Sequence, residues 1–275
     1  MRKTLFLALA LAAFTLLTVP PAGAQDGTKP KTDAPKTSPA KVDEKAEAVV
    51  KRGVEVLGGA AYMDVRTAVS QGYFTQFREG QQGLPVSFRD YVVYPDRERT
   101  EFKGAGVRTV QVNTGQSGWL FEAKAKKLTD VTPEQAEDFR TTMRTSVDNL
   151  LRGWWRSEGA SLIYVGRREA GLARRNEVVR LSYPDGFEAE FEFDAREGLP
   201  AKVLYKRPNA EGETVEEEDR YAQFQQLGGV RAPFIIDHYR AGVQSSRVNY
   251  ESVEFNKPVP ESLFAKPTDV KAIKF

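Results

Sequence analysis

The fold of this chain is decided by the stretch Phe187-Glu188-Ala189-Glu190-Phe191-Glu192-Phe193-Asp194, in which apolar and acidic residues alternate without interruption. Successive side chains of a β-strand point to opposite faces, so this alternation predicts a strand with one apolar and one acidic face. The acidic face is expected to lie in water, whereas the apolar face needs a partner that excludes water. The stretch therefore predicts a β-protein built around an apolar interior.

Similar segments occur on both sides of this strand, and residues typical of turns separate them. Strands are predicted at Thr67–Glu79, Leu84–Tyr94, Glu98–Lys103, Val107–Asn113, Gly118–Ala123, Leu162–Arg168, Asn176–Tyr183, Ala201–Lys206, Val215–Gln225, Val230–Arg240 and Val243–Phe255. Because the linkers between them are short, consecutive strands are expected to pair in antiparallel fashion.

Two helices accompany these strands. The first is predicted over Asp43–Leu57, where apolar residues recur at helical spacing and glycines follow. The second is predicted from Pro133 to about Trp155, because Thr132 and Gln135 form a capping-box pattern around the proline. Its apolar stripe either packs permanently on the sheet as core or forms a lid over a cavity.

The fold class that follows is mainly β, within the α+β class. About eleven or twelve strands and two helices predict one large, curved antiparallel sheet or incomplete β-barrel, with the helices covering its concave face. Strands and helices do not alternate along the chain, which argues against a parallel sheet.

The start of the chain has the pattern of an export signal. Arg2 and Lys3 precede an apolar run, and Ala22-Gly23-Ala24 is a small-x-small cleavage site, so residues 1–24 are predicted to be a signal peptide cleaved after Ala24. The next segment, residues 25–42, is rich in Lys and Pro and is predicted to be a disordered tether. Residues 43–275 are predicted to form a single β domain in the periplasm, and no later segment is apolar enough to span a membrane.

The composition of the chain indicates which classes of molecule it is not expected to bind. The chain has 40 Lys+Arg and 38 Asp+Glu residues. Without Arg2 and Lys3 the two signs balance, which argues against nucleic acid as a partner. The chain contains no cysteine, so a disulfide framework and acylation on a cysteine are both excluded.

Motifs of catalysis are absent from the sequence. His238 is the only histidine, and with no cysteine a conventional zinc site is not expected. Asp237 and His238 are neighbours on a predicted strand and point to opposite faces, so His238 is interpreted as a surface or half-buried structural residue. There is no Gly-x-Ser-x-Gly elbow and no phosphate loop. The sequence thus predicts a protein that is not an enzyme and has no cofactor, although a pair of carboxylates brought together by folding stays open.

Two arginines early in the chain have two interpretations. Arg97 and Arg99 flank Glu98 on a predicted strand. They either lie on a solvated strand face or hydrogen-bond helix-end carbonyls and tie a lid shut.

The order of elements and the ending of the chain carry a family resemblance. A strand that ends Val253-Glu254-Phe255-Asn256 is followed by Pro260-Glu261-Ser262-Leu263-Phe264. With the lid-like helix between two groups of strands, this arrangement resembles the LolA/LolB-like superfamily of periplasmic lipoprotein carriers and related outer-membrane lipoprotein-sorting proteins, over roughly Asp43 to Pro267. The resemblance implies an unclosed β-barrel whose helices cover an apolar cavity that accepts acyl chains.

The expected function is that of a periplasmic carrier or binder of lipid or of an acylated lipoprotein. The candidate lining residues, chosen by face, are Phe77, Tyr91, Val93, Trp119, Phe121, Phe139, Met143, Val147, Leu150, Trp154, Phe187, Phe191 and Phe193. The alternative is a non-catalytic interaction or signalling module with a filled core, whose partner is another envelope protein.

Overall fold

The computed structural model describes residues 41–115, 117–209 and 212–273. The predicted signal peptide and the part of the predicted tether before Lys41 lie outside the described residues. Lys41 and Val42 run beside the strand that contains Leu162, whose backbone N–H donates to the Lys41 carbonyl at 2.9 Å. Within the described part of the chain, no helix has the length and apolar character needed to cross a bilayer.

One antiparallel sheet of 14 strands dominates the molecule. The strands are β1 (Thr67–Arg78), β2 (Gln81–Gln82), β3 (Val86–Val93), β4 (Arg97–Gly104), β5 (Val107–Thr114), β6 (Gly118–Glu122), β7 (Lys127–Asp130), β8 (Ser161–Glu169), β9 (Arg175–Ser182), β10 (Glu188–Asp194), β11 (Pro200–Pro208), β12 (Thr214–Leu227), β13 (Val230–Arg240) and β14 (Val243–Phe255). Their order is β7-β6-β5-β4-β3-β1-β14-β13-β12-β11-β10-β9-β8, with β2 on β1. Because β7 and β8 remain edges, the sheet is not closed, and the predicted fold class is confirmed.

The backbones of strands β1 and β14 approach each other closely at the centre of the sheet. The pairing shifts register between Gln71 and Gly72. A Cβ atom added to Gly72 would lie 2.0 Å from the Asn249 carbonyl oxygen, so only glycine permits this approach.

The helices are α1 (Glu44–Leu57), α2 (Ala60–Met63), α3 (Pro133–Thr145) and α4 (Val147–Arg152), followed by a 3₁₀ helix (Trp154–Glu158). The predicted N-terminus of α3 is confirmed, since Thr132 and Gln135 form a capping box. The prediction of one continuous helix from Pro133 to Trp155 is wrong. Ser146 adopts an extended conformation, and its hydroxyl accepts a hydrogen bond from Asn149 N–H, so it ends α3 and caps α4.

The face of the sheet that packs against α1 and α4 is called the inner face. Its main apolar cluster joins Leu57 of α1 and Leu150 of α4 to Phe191 and Phe193 of β10. A second cluster, around Phe102, fills the inner side near the β1–β3 and β4–β5 turns.

The opposite, outer face is covered in part by the end of the chain. Phe264 packs on Val110, Val112, Trp119 and Phe121 of β5 and β6. A short 3₁₀ helix, Glu261–Leu263, leads into this contact.

Strand β10 departs from the predicted alternation at one position. Ala189, Phe191 and Phe193 are buried on the inner face as expected, but Glu192 on the outer face is 0% exposed. Its carboxylate accepts hydrogen bonds from Arg168 at 2.7 Å and from the Asn176 amide at 2.8 Å. Long side chains from neighbouring strands therefore cover this carboxylate, although it faces away from the core.

Replacing Glu192 with alanine is expected to lower the free energy of unfolding by about 2 kcal/mol, because the buried amide of Asn176 loses its acceptor. Chemical denaturation followed by tryptophan fluorescence measures the change. Glu188→Ala on the same strand is the matched control, since the Glu188 side chain is 51% exposed and its loss should cost about 0–1 kcal/mol. Equal losses in the two variants would contradict a special role for the buried carboxylate.

Candidate functional site

A cavity of about 290 Å³ lies between the inner face of the sheet and the segment α3–α4. Strands β1, β3, β4, β12, β13 and β14 form its floor, and the helical segment forms its roof. Its apolar lining includes Leu57, Val65, Val92, Phe139, Met143, Val147, Trp154, Tyr221, Phe224, Ile236, Tyr250, Val253 and Phe255. Aromatic and aliphatic side chains of this kind line the sites of apolar ligands.

The roof holds the predicted lining residues that the structure brings to the cavity. They are Phe139, Met143, Val147 and Trp154. Leu150, from the same apolar stripe, points instead into the core beneath α1. The residues of this stripe therefore have two roles. Those of α3 mainly cover the cavity, and those of α4 mainly pack permanently in the core.

Several predicted lining residues of the early strands lie on the outer face. Tyr91 and Val93 alternate with Asp90 and Val92, and it is Asp90 and Val92 that line the cavity. Trp119 and Phe121 pack against the C-terminal segment instead. The alternation of side chains along a strand places these residues together on one face but does not indicate which face is the inner one. Because Phe264 covers Trp119 and Phe121, this apolar face is the outer face, not the inner face that was expected.

The remaining predicted residues are away from the cavity. Phe191 and Phe193 are in the main core, and Phe187 packs at its edge against Tyr183 and Tyr205. Phe77 lies at the end of β1, opposite Gln82.

The cavity floor contains residues that were not predicted, mostly from the last strands. Tyr221, Phe224, Ile236, Tyr250 and Phe255 all line it. Their alternation within β12–β14 is visible in the sequence, so the strand pattern was a usable signal, but the face that meets α3 is set by the sheet order.

A polar cluster attaches α4 to the start of the sheet. The Asp148 carboxylate accepts hydrogen bonds from the hydroxyls of Tyr62 (2.7 Å) and Tyr94 (3.2 Å) and from Arg152 Nε (2.8 Å). Arg152 also donates to the carbonyls of Tyr62, Met63 and Val65. Burial, and then the negative charge of Asp148, raise the pKa of the Tyr62 hydroxyl well above its usual value, so it stays a donor. These contacts fix α4 in place.

Ion pairs attach helix α3 to its surroundings. Arg144 donates to Glu158 at 2.8 Å and to Asp185 at 2.6 Å. Asp138 accepts from Arg207 of β11 at 3.3 Å. Its apolar residues Phe139 and Met143 are thereby directed into the cavity.

One wall of the cavity carries carboxyl groups. Asp90 is 5% exposed and accepts a hydrogen bond from the Thr100 hydroxyl at 2.8 Å. Burial raises the pKa of Asp90 from 3.8 to about 7, against the opposing effects of the Thr100 and Tyr91 hydrogen bonds. Glu98 and Ser70, also buried, line the same wall. The cavity is therefore amphipathic rather than uniformly apolar.

His238 also lines the cavity and is buried, at 9% exposure. Its Nδ1 lies 2.5 Å from the Asp219 carboxylate of the neighbouring strand β12. Asp237 does point to the other face, as expected, where it binds Arg247. Asp219 was not predictable as the partner of His238, because the contact depends on the β12–β13 register.

The arginines that flank Glu98 hold the end of the chain. Arg97 forms an ion pair with Glu261, and Arg99 donates to the Leu263 carbonyl at 2.9 Å. Trp119 Nε1 donates to the Phe264 carbonyl, also at 2.9 Å. Arg99 does bind a carbonyl at a helix end, but it ties down the outer-face segment rather than α3.

No set of three or more His, Cys, Asp or Glu side chains is placed to hold a metal ion in the described ranges 41–115, 117–209 and 212–273.

Comparison with known proteins identifies the fold. No protein-family model matches the sequence, and a search of curated proteins found no match. A solved structure of a DUF1329 family protein from Desulfovibrio piger shares the fold at 11% identity and a TM-score of 0.57, covering 80% of this chain and 97% of that one. A LolA superfamily protein from Nitrosomonas europaea does so at 13% identity and a TM-score of 0.54, over 80% and 97%. The fold is LolA-like, which confirms the predicted resemblance at the level of fold.

Proposed function

We propose that this protein binds an acyl chain of a lipid or acylated lipoprotein in the cavity beneath α3, and that it does so in the periplasm as a carrier or binder. The observation that carries the proposal is the apolar cavity of about 290 Å³ between the sheet and α3–α4. The LolA-like fold supports it, and the export signal predicted at residues 1–24 supports the location.

The size of the cavity suits one ligand at a time. Pockets for small ligands span about 300–1,000 Å³, so this cavity is at the lower end of the range. Each methylene group buried there contributes about 0.8 kcal/mol, so a single chain supplies several kcal/mol without any polar contact.

Reversible binding follows from the way α3 is attached. Opening the roof breaks the ion pairs of Arg144 and Arg207 and withdraws Phe139 and Met143 from the cavity. These losses oppose the gain from the bound chain, so the ligand shifts an equilibrium rather than being trapped.

The alternative function, an interaction module with a filled core, is less well supported. A filled core leaves no space beneath α3, whereas the structure contains a cavity with a predominantly apolar lining.

Native mass spectrometry tests the proposal. The exported chain, purified from a periplasmic extract without detergent, is expected to carry one extra mass that organic extraction removes and that fragments as a lipid or acylated peptide. A bare protein mass that also stays bare after incubation with envelope lipids would overturn the proposal and favour a protein partner.

Met143→Glu is expected to weaken binding of an acyl chain at least about tenfold, because the new carboxylate must lose its water when the cavity fills. Titration with a fluorescent fatty acyl probe measures the change. Thr141→Glu adds the same charge to the same helix away from the cavity lining and should bind as the unmodified protein does. If the folded Met143 variant retained full affinity, the cavity beneath α3 would not be the binding site.

A further inference from the structure

A ring nitrogen at the cavity has no hydrogen-bond partner among the described residues. His238 lines the cavity at 9% exposure, and its Nε2 is buried without a donor or acceptor in that part of the chain. A buried polar atom left unpaired is costly, and most such atoms in native proteins are paired with protein, water or ligand. The ligand is therefore expected to supply the missing polar partner of this nitrogen.

The contact with Asp219 decides which kind of group fits. An ionised carboxylate only accepts hydrogen bonds, so Nδ1, 2.5 Å from Asp219 Oδ1, carries the proton. Nε2 then accepts a hydrogen bond in the neutral imidazole and donates one in the imidazolium. A hydroxyl group, which can both donate and accept, fits Nε2 in either state.

The charges around His238 argue against an anionic ligand group. The arginines nearest in the sheet are engaged: Arg207 binds Glu217 and Asp138, and Arg240 lies 3.5 Å from Glu217. Among the ionisable cavity-lining residues the acids outnumber the arginines: Asp90, Asp96, Glu98, Asp148 and Asp219 against Arg97, Arg152 and Arg231. A carboxylate or phosphate would enter a region that already has an excess of carboxyl groups.

The apolar part of the cavity begins beside this histidine. Asp219 pairs with His238, and the next inward-facing pair along the same strands is Tyr221 with Ile236. Phe224, further along β12, also lines the cavity. A ligand with its polar group at His238 can therefore extend its chain along the apolar floor.

We propose that His238 Nε2 forms a hydrogen bond with the hydroxyl headgroup of the bound amphiphile, so that the cavity selects uncharged, hydroxyl-bearing amphiphiles of the acylglycerol type over anionic ones. This inference rests on the proposed function of the cavity. It assigns to the single histidine a role in specificity rather than in structure alone.

Three probes with the same decanoyl chain separate the possibilities: 1-decanoylglycerol, methyl decanoate and decanoate. Isothermal titration of the exported chain is expected to show about a tenfold preference for the glyceride over the ester, as one hydrogen bond to a buried ring nitrogen provides. His238→Leu is expected to abolish this preference, so that the ratio of the two affinities falls to about one. His238→Gln, which keeps an acceptor, should restore part of the preference.

A measurement on the unmodified protein keeps the test independent of variant folding. Because the chain has one histidine, its imidazole ¹⁵N signals need no assignment when the purification tag lacks histidine. The Nε2 resonance is expected to shift when 1-decanoylglycerol binds and to stay in place when methyl decanoate binds.

The outcomes separate this inference from the function on which it rests. Three results would each overturn the role of His238 and leave acyl binding intact. They are equal affinities for glyceride and ester, a preference for decanoate, and an Nε2 resonance that does not shift when the glyceride binds. Failure of all three probes to bind would overturn the proposed function itself.

Discussion

Arg152→Ala is expected to lower the free energy of unfolding by about 3–5 kcal/mol, the range found when one partner of a buried ion pair is removed. The Arg152 side chain is 4% exposed and binds Asp148 at 2.8 Å. Its guanidinium also donates to the carbonyls of Tyr62, Met63 and Val65 and lies over the rings of Tyr62 and Tyr94. The variant removes the Arg152 donor from the Met63 and Val65 carbonyls and leaves Asp148 without its cation, while the Tyr62 carbonyl keeps the Val65 N–H.

Urea denaturation, followed by circular dichroism, measures this loss. Arg140→Ala is the matched control, since Arg140 is exposed on α3 and its ion pairs are 3.4 Å or longer. The control should cost about 0–1 kcal/mol. A loss below about 1 kcal/mol for Arg152→Ala would show that α4 is held by apolar packing rather than by this cluster.

Asp90→Asn is expected to stabilise the protein in neutral and alkaline solution. The pKa of Asp90 rises from 3.8 to about 7 on folding, chiefly through burial, so the folded state binds the proton more tightly than the unfolded state does. Its contribution to stability is fully present below about pH 4 and is lost as the pH rises to about 7. The loss amounts to about 4 kcal/mol at 1.36 kcal/mol per pKa unit. An asparagine keeps the acceptor for Thr100 and carries no charge.

Denaturation at about pH 4 and at about pH 8.5 tests this sign. The gain from Asp90→Asn should be small in acid and approach 4 kcal/mol in alkali. Asp64→Asn, at an exposed position, should show no such dependence on pH. If Asp90→Asn destabilised the protein equally at both pH values, the carboxylate would have a stabilising partner, and burial would not be what governs its pKa.

The strands and the helix starts were predictable because they depend on residues that are close together in the chain. The alternation in β10, the turns between strands and the capping box of α3 each depend on residues close together in the chain. The bounds predicted for β13 and β14 agree with the structure.

The site was less predictable because the residues that form it are distant from one another in sequence. Trp119 and Phe121 form an apolar face, but the residue that covers it, Phe264, is supplied by the end of the chain. Likewise His238 meets Asp219 only through the register of two long strands. Asp90 lines the cavity only because the sheet order places this face of β3 beneath the roof. Local patterns identify the faces of an element, and the tertiary arrangement decides which face encloses the cavity.

The pairing of β1 with β14 has a consequence for the order in which the molecule is completed. In the order of the sheet, the strands on the β1 side of this pairing form one run of neighbouring hairpins, and the strands on the β14 side form another. The pairing joins residues as distant in sequence as Ala68 and Phe255. Contacts so far apart form late, because a long loop must close first. Strand β14 also supplies Tyr250 and Phe255 to the cavity floor. Without this strand the two runs have no pairing between them and the cavity lacks part of its floor, so the ability to enclose a ligand requires the last strand.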